Sequence, residues 1–221
     1  MITLYDLSGK NDLRFSPYCW RIKYLLNFRK IIYQTKPTCF TERLNNVFFG
    51  DARLPTITDD DIKISNSFNI AEHIENKYID NDKRIINAEN KASLYFINDW
   101  SDYFLNTSIL ERVAYDIVNV LDNRDIEYFN ESRSKRFGMS PKDFQDYNLK
   151  KSENNFNKCC NFLDKILQKQ SYLLGENITY AEMIVLGSLT WGEKVSNNTK
   201  IEKKFKRLTA WKDKLAISLG H

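Results

Sequence analysis

The sequence predicts a small α/β domain followed by an all-helical domain. Three observations carry that prediction. Over the first eighty residues, short apolar runs alternate with amphipathic spans. A polar stretch follows at residues 81–90. Beyond it, apolar residues recur at helical spacing almost throughout. The predicted organisation is therefore a first domain at 1–80, a linker at 81–90 and a helical domain at 91–221. A chain of 221 residues is long enough to bury a sizeable core.

In chain order, Ile2 to Asp6 reads as a strand. Pro17 to Phe28 reads as a helix, with Trp20, Tyr24, Leu25 and Phe28 along one stripe. Ile31 to Thr35 is a second strand. Leu54 to Thr58 and Ile62 to Ile64 form a hairpin around the turn-rich Asp59-Asp60-Asp61. Ser67 to Tyr78 is a helix that turns Ile70, Ala71 and Ile74 inward. This β-α-β, then β-β-α order is that of a thioredoxin-like domain. In the second half, Ala92 to Val120, Phe156 to Leu167 and Glu182 to Trp191 carry helical apolar stripes. Asn123 to Asp146 is charged and is expected to be a mobile or partly helical excursion.

Composition narrows the class. With 42% hydrophobic and 28% charged residues, the chain falls among folded globular proteins rather than disordered ones. Aromatics make up 14%, so core and pocket surfaces are expected to be rich in rings. The net charge of +4 is scattered except at Lys200–Arg207. There Ile201, Phe205 and Leu208 interleave near helical spacing, so the cluster reads as a solvated helix face, and neither nucleic acid nor membrane is an expected partner. Four cysteines (Cys19, Cys39, Cys159, Cys160) and two histidines (His73, His221) show no zinc-ligand spacing. No metal is expected. With no secretory pattern at the start and no bilayer-length apolar run, the expected setting is a reducing cytoplasm with free thiols.

The chemistry concentrates at Ser16-Pro17-Tyr18-Cys19. This tetrad has the outline of the glutaredoxin motif Cys-Pro-Tyr-Cys, with serine in place of the first cysteine. Serine cannot attack a disulfide as a thiolate at neutral pH, but its hydroxyl can hold and activate another molecule's thiol. Serine is also a favoured helix cap, and proline is favoured at the first helical position. Ser16 is therefore expected where free N–H groups and the positive dipole end converge. Moving a thiol from a pKa of about 8.5 to about 6.5 needs roughly 2.7 kcal/mol. One hydroxyl hydrogen bond to a charged group plus a helix end can supply it. Read by themselves, the two residues fit an ordinary cap better than a thiol site. Leu54-Pro55 opens a strand with a residue that cannot donate to the ladder. Asn66-Ser67 precedes a helix, with Ser67 the expected cap. Thr179 to Glu182 is a capping box with a structural role.

Together these segments resemble the glutathione transferase superfamily along nearly the whole chain. The likeness is to its bacterial β-etherase-like branch and the related fungal FuA-type enzymes. It rests on Thr3-Leu4-Tyr5-Asp6-Leu7, Phe15 to Arg21, Phe40-Thr41-Glu42, Gly50 to Pro55, and Ser67 to Glu75. In the helical half it rests on Ser132 to Gly138 and Leu174-Gly175. The resemblance implies a glutathione transferase fold and glutathione as co-substrate. Ser16 would stabilise the glutathione thiolate. Leu54, beside a cis Pro55, would pair its backbone with the cysteinyl part. Asn66 and Ser67 would hold the γ-glutamyl end, and Arg53 with the Phe40–Arg43 loop would approach the glycyl carboxylate. Trp100, Tyr103 and Phe104 are the expected wall for a small hydrophobic or aromatic electrophile, with core packing as the alternative role. The implied assembly is a homodimer, and the implied role is detoxification by conjugation, possible ether cleavage included. Asn66 stands where the family usually has an acid; its amide oxygen is expected still to accept from the γ-glutamyl amine, without an ion pair. Two other functions stay open on these residues. One is a ligandin-like carrier of hydrophobic or polyphenolic ligands, and the other is a thiol oxidoreductase using Cys19.

Overall fold

The computed structural model describes residues 1–220; His221 lies outside the described residues. The first domain is a four-stranded sheet of β1 (Ile2–Leu7), β2 (Tyr33–Thr38), β3 (Thr56–Asp59) and β4 (Ile62–Ser65), in the order β2-β1-β3-β4. β1 and β2 are parallel, from Ile2↔Tyr33 to Leu7↔Thr38. A parallel pair needs a crossover, and α1 (Pro17–Phe28) supplies it. β3 runs antiparallel to β1 with Tyr5↔Thr56, and β4 antiparallel to β3 with Thr56↔Ser65. With α2 (Phe40–Asn45) and α3 (Ser67–Tyr78) this is a thioredoxin-like domain. The second strand starts two residues later than the sequence suggests. Lys30 adopts φ 54 and the Ile31 N–H still closes onto the Leu26 carbonyl, so the chain leaves α1 by a turn that leaves Ile32 83% exposed.

α1 is buried on nearly every side. Cys19, Ile22, Tyr24, Leu25 and Leu26 are fully inaccessible. Its most extensive partner is α9 (Tyr180–Val195) of the helical domain. Gly187 sets that approach: a Cβ there would lie 2.6 Å from the Pro17 carbonyl oxygen. Tyr24 and Thr190 share a hydrogen bond of 2.8 Å across the same contact. The start of α1 is thus fixed by a helix of the other domain.

Residues 81–90 are held, not slack. Arg29 makes two 2.6 Å hydrogen bonds to the Glu75 carboxylate, which also accepts from the Ile85 N–H at 2.7 Å. Ile85 and Ile86 are buried. The helical domain follows as α4 (Lys91–Trp100), a π-helical turn at Ser101–Leu105, α5 (Asn106–Val113), α6 (Asp116–Val120), α7 (Ile126–Phe137), α8 (Pro141–Leu167), α9 and α10 (Lys206–Ser218). No helix among the described residues is long and apolar enough to cross a membrane.

Two sequence expectations fail here. The charged stretch 123–146 is helical from end to end apart from a Gly138 αL cap and a Ser140-Pro141 start. It is pinned by Asp125, which is inaccessible to solvent and accepts from the Phe40 N–H (2.7 Å), the Thr41 N–H (2.8 Å) and the Thr41 hydroxyl (2.7 Å). The carboxylate of one domain therefore caps α2 of the other. Lys200–Arg207, read as a helix face, is largely irregular, and α10 begins only at Lys206. Asp164 on α8 caps it, accepting from the Arg207 and Leu208 N–H groups at 2.9 and 3.0 Å.

Candidate functional site

Sheet register gathers the sequence motifs at one end of the first domain. Extending Tyr5↔Thr56 sets Leu7 opposite Leu54, and extending Thr56↔Ser65 sets Asn66 and Ser67 beside Pro55 and Leu54. The loop after β1 then delivers Ser16 to the same end, where strand carboxyl ends and helix N-termini meet. Ser16, Arg53 and Leu54 line a cleft of about 510 Å³ between the domains. Pro55, Asn66 and Ser67 lie next to that strand end without lining the cleft.

Ser16 caps α1 as its spacing predicts. It is 5% exposed, and its Oγ accepts from the Cys19 N–H at 3.3 Å, a long bond that leaves the hydroxyl proton free to donate. The first turn of α1 contains no acidic residue. The positive end of the helix therefore has no side-chain anion of its own. Leu54–Pro55 is a cis bond. The Leu54 N–H and C=O find no partner among the described residues, since the ladder ends at Thr56.

At α3 the expected cap is displaced by one residue. Asn66, at φ 75, is the N-cap, and Ser67 is the first helical residue. The Asn66 amide oxygen accepts from the Phe68 N–H at 2.9 Å and the Asn69 N–H at 3.3 Å. Both its lone pairs are used, and an amide nitrogen can only donate. Asn66 therefore cannot accept from an amine, contrary to the sequence expectation. What this corner offers is mainly donors: the Asn66 amide N–H groups and the Ser67 N–H, with a Ser67 hydroxyl that can donate or accept.

The opposite wall is not the expected one. Trp100 turns away to stack near Phe162 at 5.2 Å, and Tyr103 and Phe104 are 74% and 61% exposed. None of the three lines the cleft. The cause is the π turn at Ser101–Leu105. Its extra residue advances the following chain by about 100° around the axis, so a continuous 3.6-residue stripe drawn through it points at the wrong face. Asp102, Asn106, Thr107 and Leu110 face the cleft instead, joined by Tyr128, Phe129, Arg133 and Arg136 of α7. Asp102 is tied to the fully buried Arg21 at 2.6 Å and to Asn106 at 3.0 Å.

Two residues of the tetrad differ sharply. Cys19 is fully buried, and burial above all pushes its thiol well up, so it is no nucleophile. Tyr18 lines the cleft with its ring 4.7 Å from the Arg21 guanidinium. Burial, then the Asp102 charge, raises its hydroxyl pKa, which keeps it a neutral donor at neutral pH. Tyr18 lay inside the quoted motif without a role. Arg133 and Arg136 lay inside the quoted Ser132–Gly138 segment, and the only signal for them was that they are cations with no acidic neighbour three or four residues away.

Two family models match the chain. The glutathione S-transferase N-terminal domain matches residues 12–82, and the C-terminal domain of the same name matches residues 94–217. Solved structures share the fold. Glutathione transferase GSTFuA3 from Phanerochaete chrysosporium superposes with a TM-score of 0.84 at 16% identity, over 98% of this chain and 96% of that one. GSTFuA2 from the same fungus gives 0.81 at 19%, over 98% and 97%. A glutathione S-transferase of Ceriporiopsis subvermispora, solved in complex with glutathione, gives 0.81 at 20%, also over 98% and 97%. At these identities the likeness is one of fold.

Proposed function

The chain belongs to the glutathione S-transferase family, and from that premise we propose that it is a serine-type glutathione transferase acting on small aromatic electrophiles in the cytoplasm. One observation carries the reading: a nearly buried hydroxyl at the start of α1, with no acidic residue in that first turn, opens on a cleft large enough for a tripeptide and a small partner. Ser16 donates to the glutathione sulfur and holds it as a thiolate. Leu54 pairs its free N–H and C=O with the cysteinyl residue. The donors of Asn66 and Ser67 take the γ-glutamyl carboxylate, leaving the γ-glutamyl ammonium without an ion pair. Arg43 and the exposed Arg53 lie on the same wall and suit the glycyl carboxylate.

The sulfur lone pair then forms the new bond to carbon, and the leaving group departs with the bonding pair; for a β-aryl ether that group is a phenolate. The exposed Tyr95, Phe96, Tyr103 and Phe104 strip is the face we assign to a two-fold dimer. Steady-state assays with glutathione and a panel of aryl halides, isothiocyanates and β-aryl ethers are expected to show saturable conjugation. Absence of turnover across all three classes overturns the transferase reading. A second reading, a ligandin-like carrier, is favoured by Asn66 alone, because its committed oxygen weakens the hold on glutathione. Tight binding of polyphenols that glutathione does not compete for would support it.

A further inference from the structure

The cleft carries more positive charge than glutathione needs. Four guanidinium groups line it, from Arg43, Arg53, Arg133 and Arg136. Among the described residues, the only carboxylate in the lining belongs to Asp102, already bound to Arg21 at 2.6 Å. Arg43 and Arg53 stand on the first-domain wall and are accounted for by the glycyl carboxylate. Arg133 and Arg136 stand across from them on α7, three residues apart and so on one helix face.

Four other arginines of the protein already have an acidic partner. Arg14, Arg21, Arg29 and Arg124 each meet a carboxylate at 3.2 Å or less. Among the described residues Arg133 and Arg136 meet none. The half-buried Arg133 has a single long hydrogen bond, to the Ser132 hydroxyl at 3.3 Å. Its guanidinium lies 4.8 Å from the Phe129 ring centre and 5.9 Å from that of Phe40. Burial, then the neighbouring Arg136, pulls it below the usual arginine value, so an anion bound there would relieve both. It remains charged at neutral pH. Aromatic rings flank the pair, and a planar guanidinium can grip a carboxylate through two parallel hydrogen bonds.

We propose that Arg133 and Arg136 receive the carboxylate of the second substrate, so that the cleft prefers aryl electrophiles bearing a carboxylate over neutral ones. This rests on the transferase reading above. The bound ring lies among Phe40, Tyr128 and Phe129, with its reactive carbon turned toward Ser16.

The test compares 4-chloro-3,5-dinitrobenzoate with 4-chloro-3,5-dinitrobenzamide, which differ in charge at one end of the ring. In either case sulfur forms the C–S bond, chloride leaves with the C–Cl pair, and the thiol proton passes to buffer. After correction for the uncatalysed rates, kcat/KM should favour the benzoate by about tenfold or more, the size of one to two charge-assisted hydrogen bonds. The preference should shrink with added salt. It should collapse toward one in the Arg133→Gln, Arg136→Gln double variant and fall partway in Arg136→Gln, whose side chain is exposed and not needed for folding. A wild-type ratio near one, or a ratio that survives the double substitution, overturns the proposal. Binding of the inert 3,5-dinitrobenzoate and 3,5-dinitrobenzamide, followed by quenching of Trp191 in the cleft wall, decides the same question without turnover. If neither chloride is conjugated but the inert benzoate binds more tightly through the arginines, the transferase reading falls and the anion site stands.

Discussion

Three helices of the protein begin in two different ways. α2 and α10 are each capped by a carboxylate reached through the fold: Asp125 from the helical domain for α2, and Asp164 from α8 for α10. α1 is capped by the neutral hydroxyl of Ser16, through one bond of 3.3 Å, and its first turn has no acid. The first two ends are closed by an internal anion. The third keeps its dipole and a spare hydroxyl proton facing a cleft. The difference separates a helix start built for stability from one built to receive a negative charge.

The sharpest way to break that distinction is to make α1 resemble α2. Ser16→Asp keeps the cap and puts a carboxylate where the thiolate should sit. Stability should hold or rise by about 0.5 kcal/mol, while kcat/KM with glutathione falls by about 1000-fold. Ser16→Ala removes the donor without adding charge. Turnover should fall by about 100-fold, near 2.7 kcal/mol, with a loss of folding stability of only about 1 kcal/mol. Ultraviolet titration of the bound thiol should show its pKa rising by about two units. If Ser16→Asp retains substantial activity, the open helix end is not where the thiolate is held.

The converse variant empties a closed end. Asp125→Ala strips three hydrogen bonds from the start of α2 and leaves two partly buried N–H groups unpaired. It should cost about 3 kcal/mol and lower the melting temperature by about 6–12 °C. A shift under about 2 °C would mean that the inter-domain cap adds little to the fold.

The two kinds of helix start were not equally legible in the sequence. Ser16-Pro17 fixed the start of α1, because a cap followed by proline is a local signal. Asp125 gave none: its partners lie 84 and 85 residues away, and its surroundings are charged enough to look unstructured. The same contrast runs through the cleft. The first-domain wall follows from strand register and turn residues, which are read over a few positions. The helical wall depends on a π turn, which shifts the phase of everything after it and leaves no mark in the apolar pattern. Trp100 lies just ahead of that turn and Tyr103 and Phe104 inside it, so a regular 3.6-residue stripe that joins them to the chain beyond misses the cleft wall, and the place of Arg133 and Arg136 depends on where the fold sets α7.

The start of α3 is the intermediate case, and it bears the smallest expected effect. Asn66 closes the helix end without a charge, and both lone pairs of its oxygen go to the Phe68 and Asn69 N–H groups. Asn66→Asp keeps the shape and adds a second acceptor oxygen with a full negative charge. One oxygen can keep capping α3 while the other faces the γ-glutamyl ammonium, which otherwise finds no carboxylate there. The site is close enough to solvent that the new pair should contribute only about 1 kcal/mol, or about fivefold tighter glutathione binding by calorimetry. The gain should weaken with salt and leave kcat nearly unchanged, because the ammonium is remote from the sulfur. Unchanged affinity would mean that the γ-glutamyl end does not lie against residue 66, and the donors of Ser67 would have to be reassigned with it.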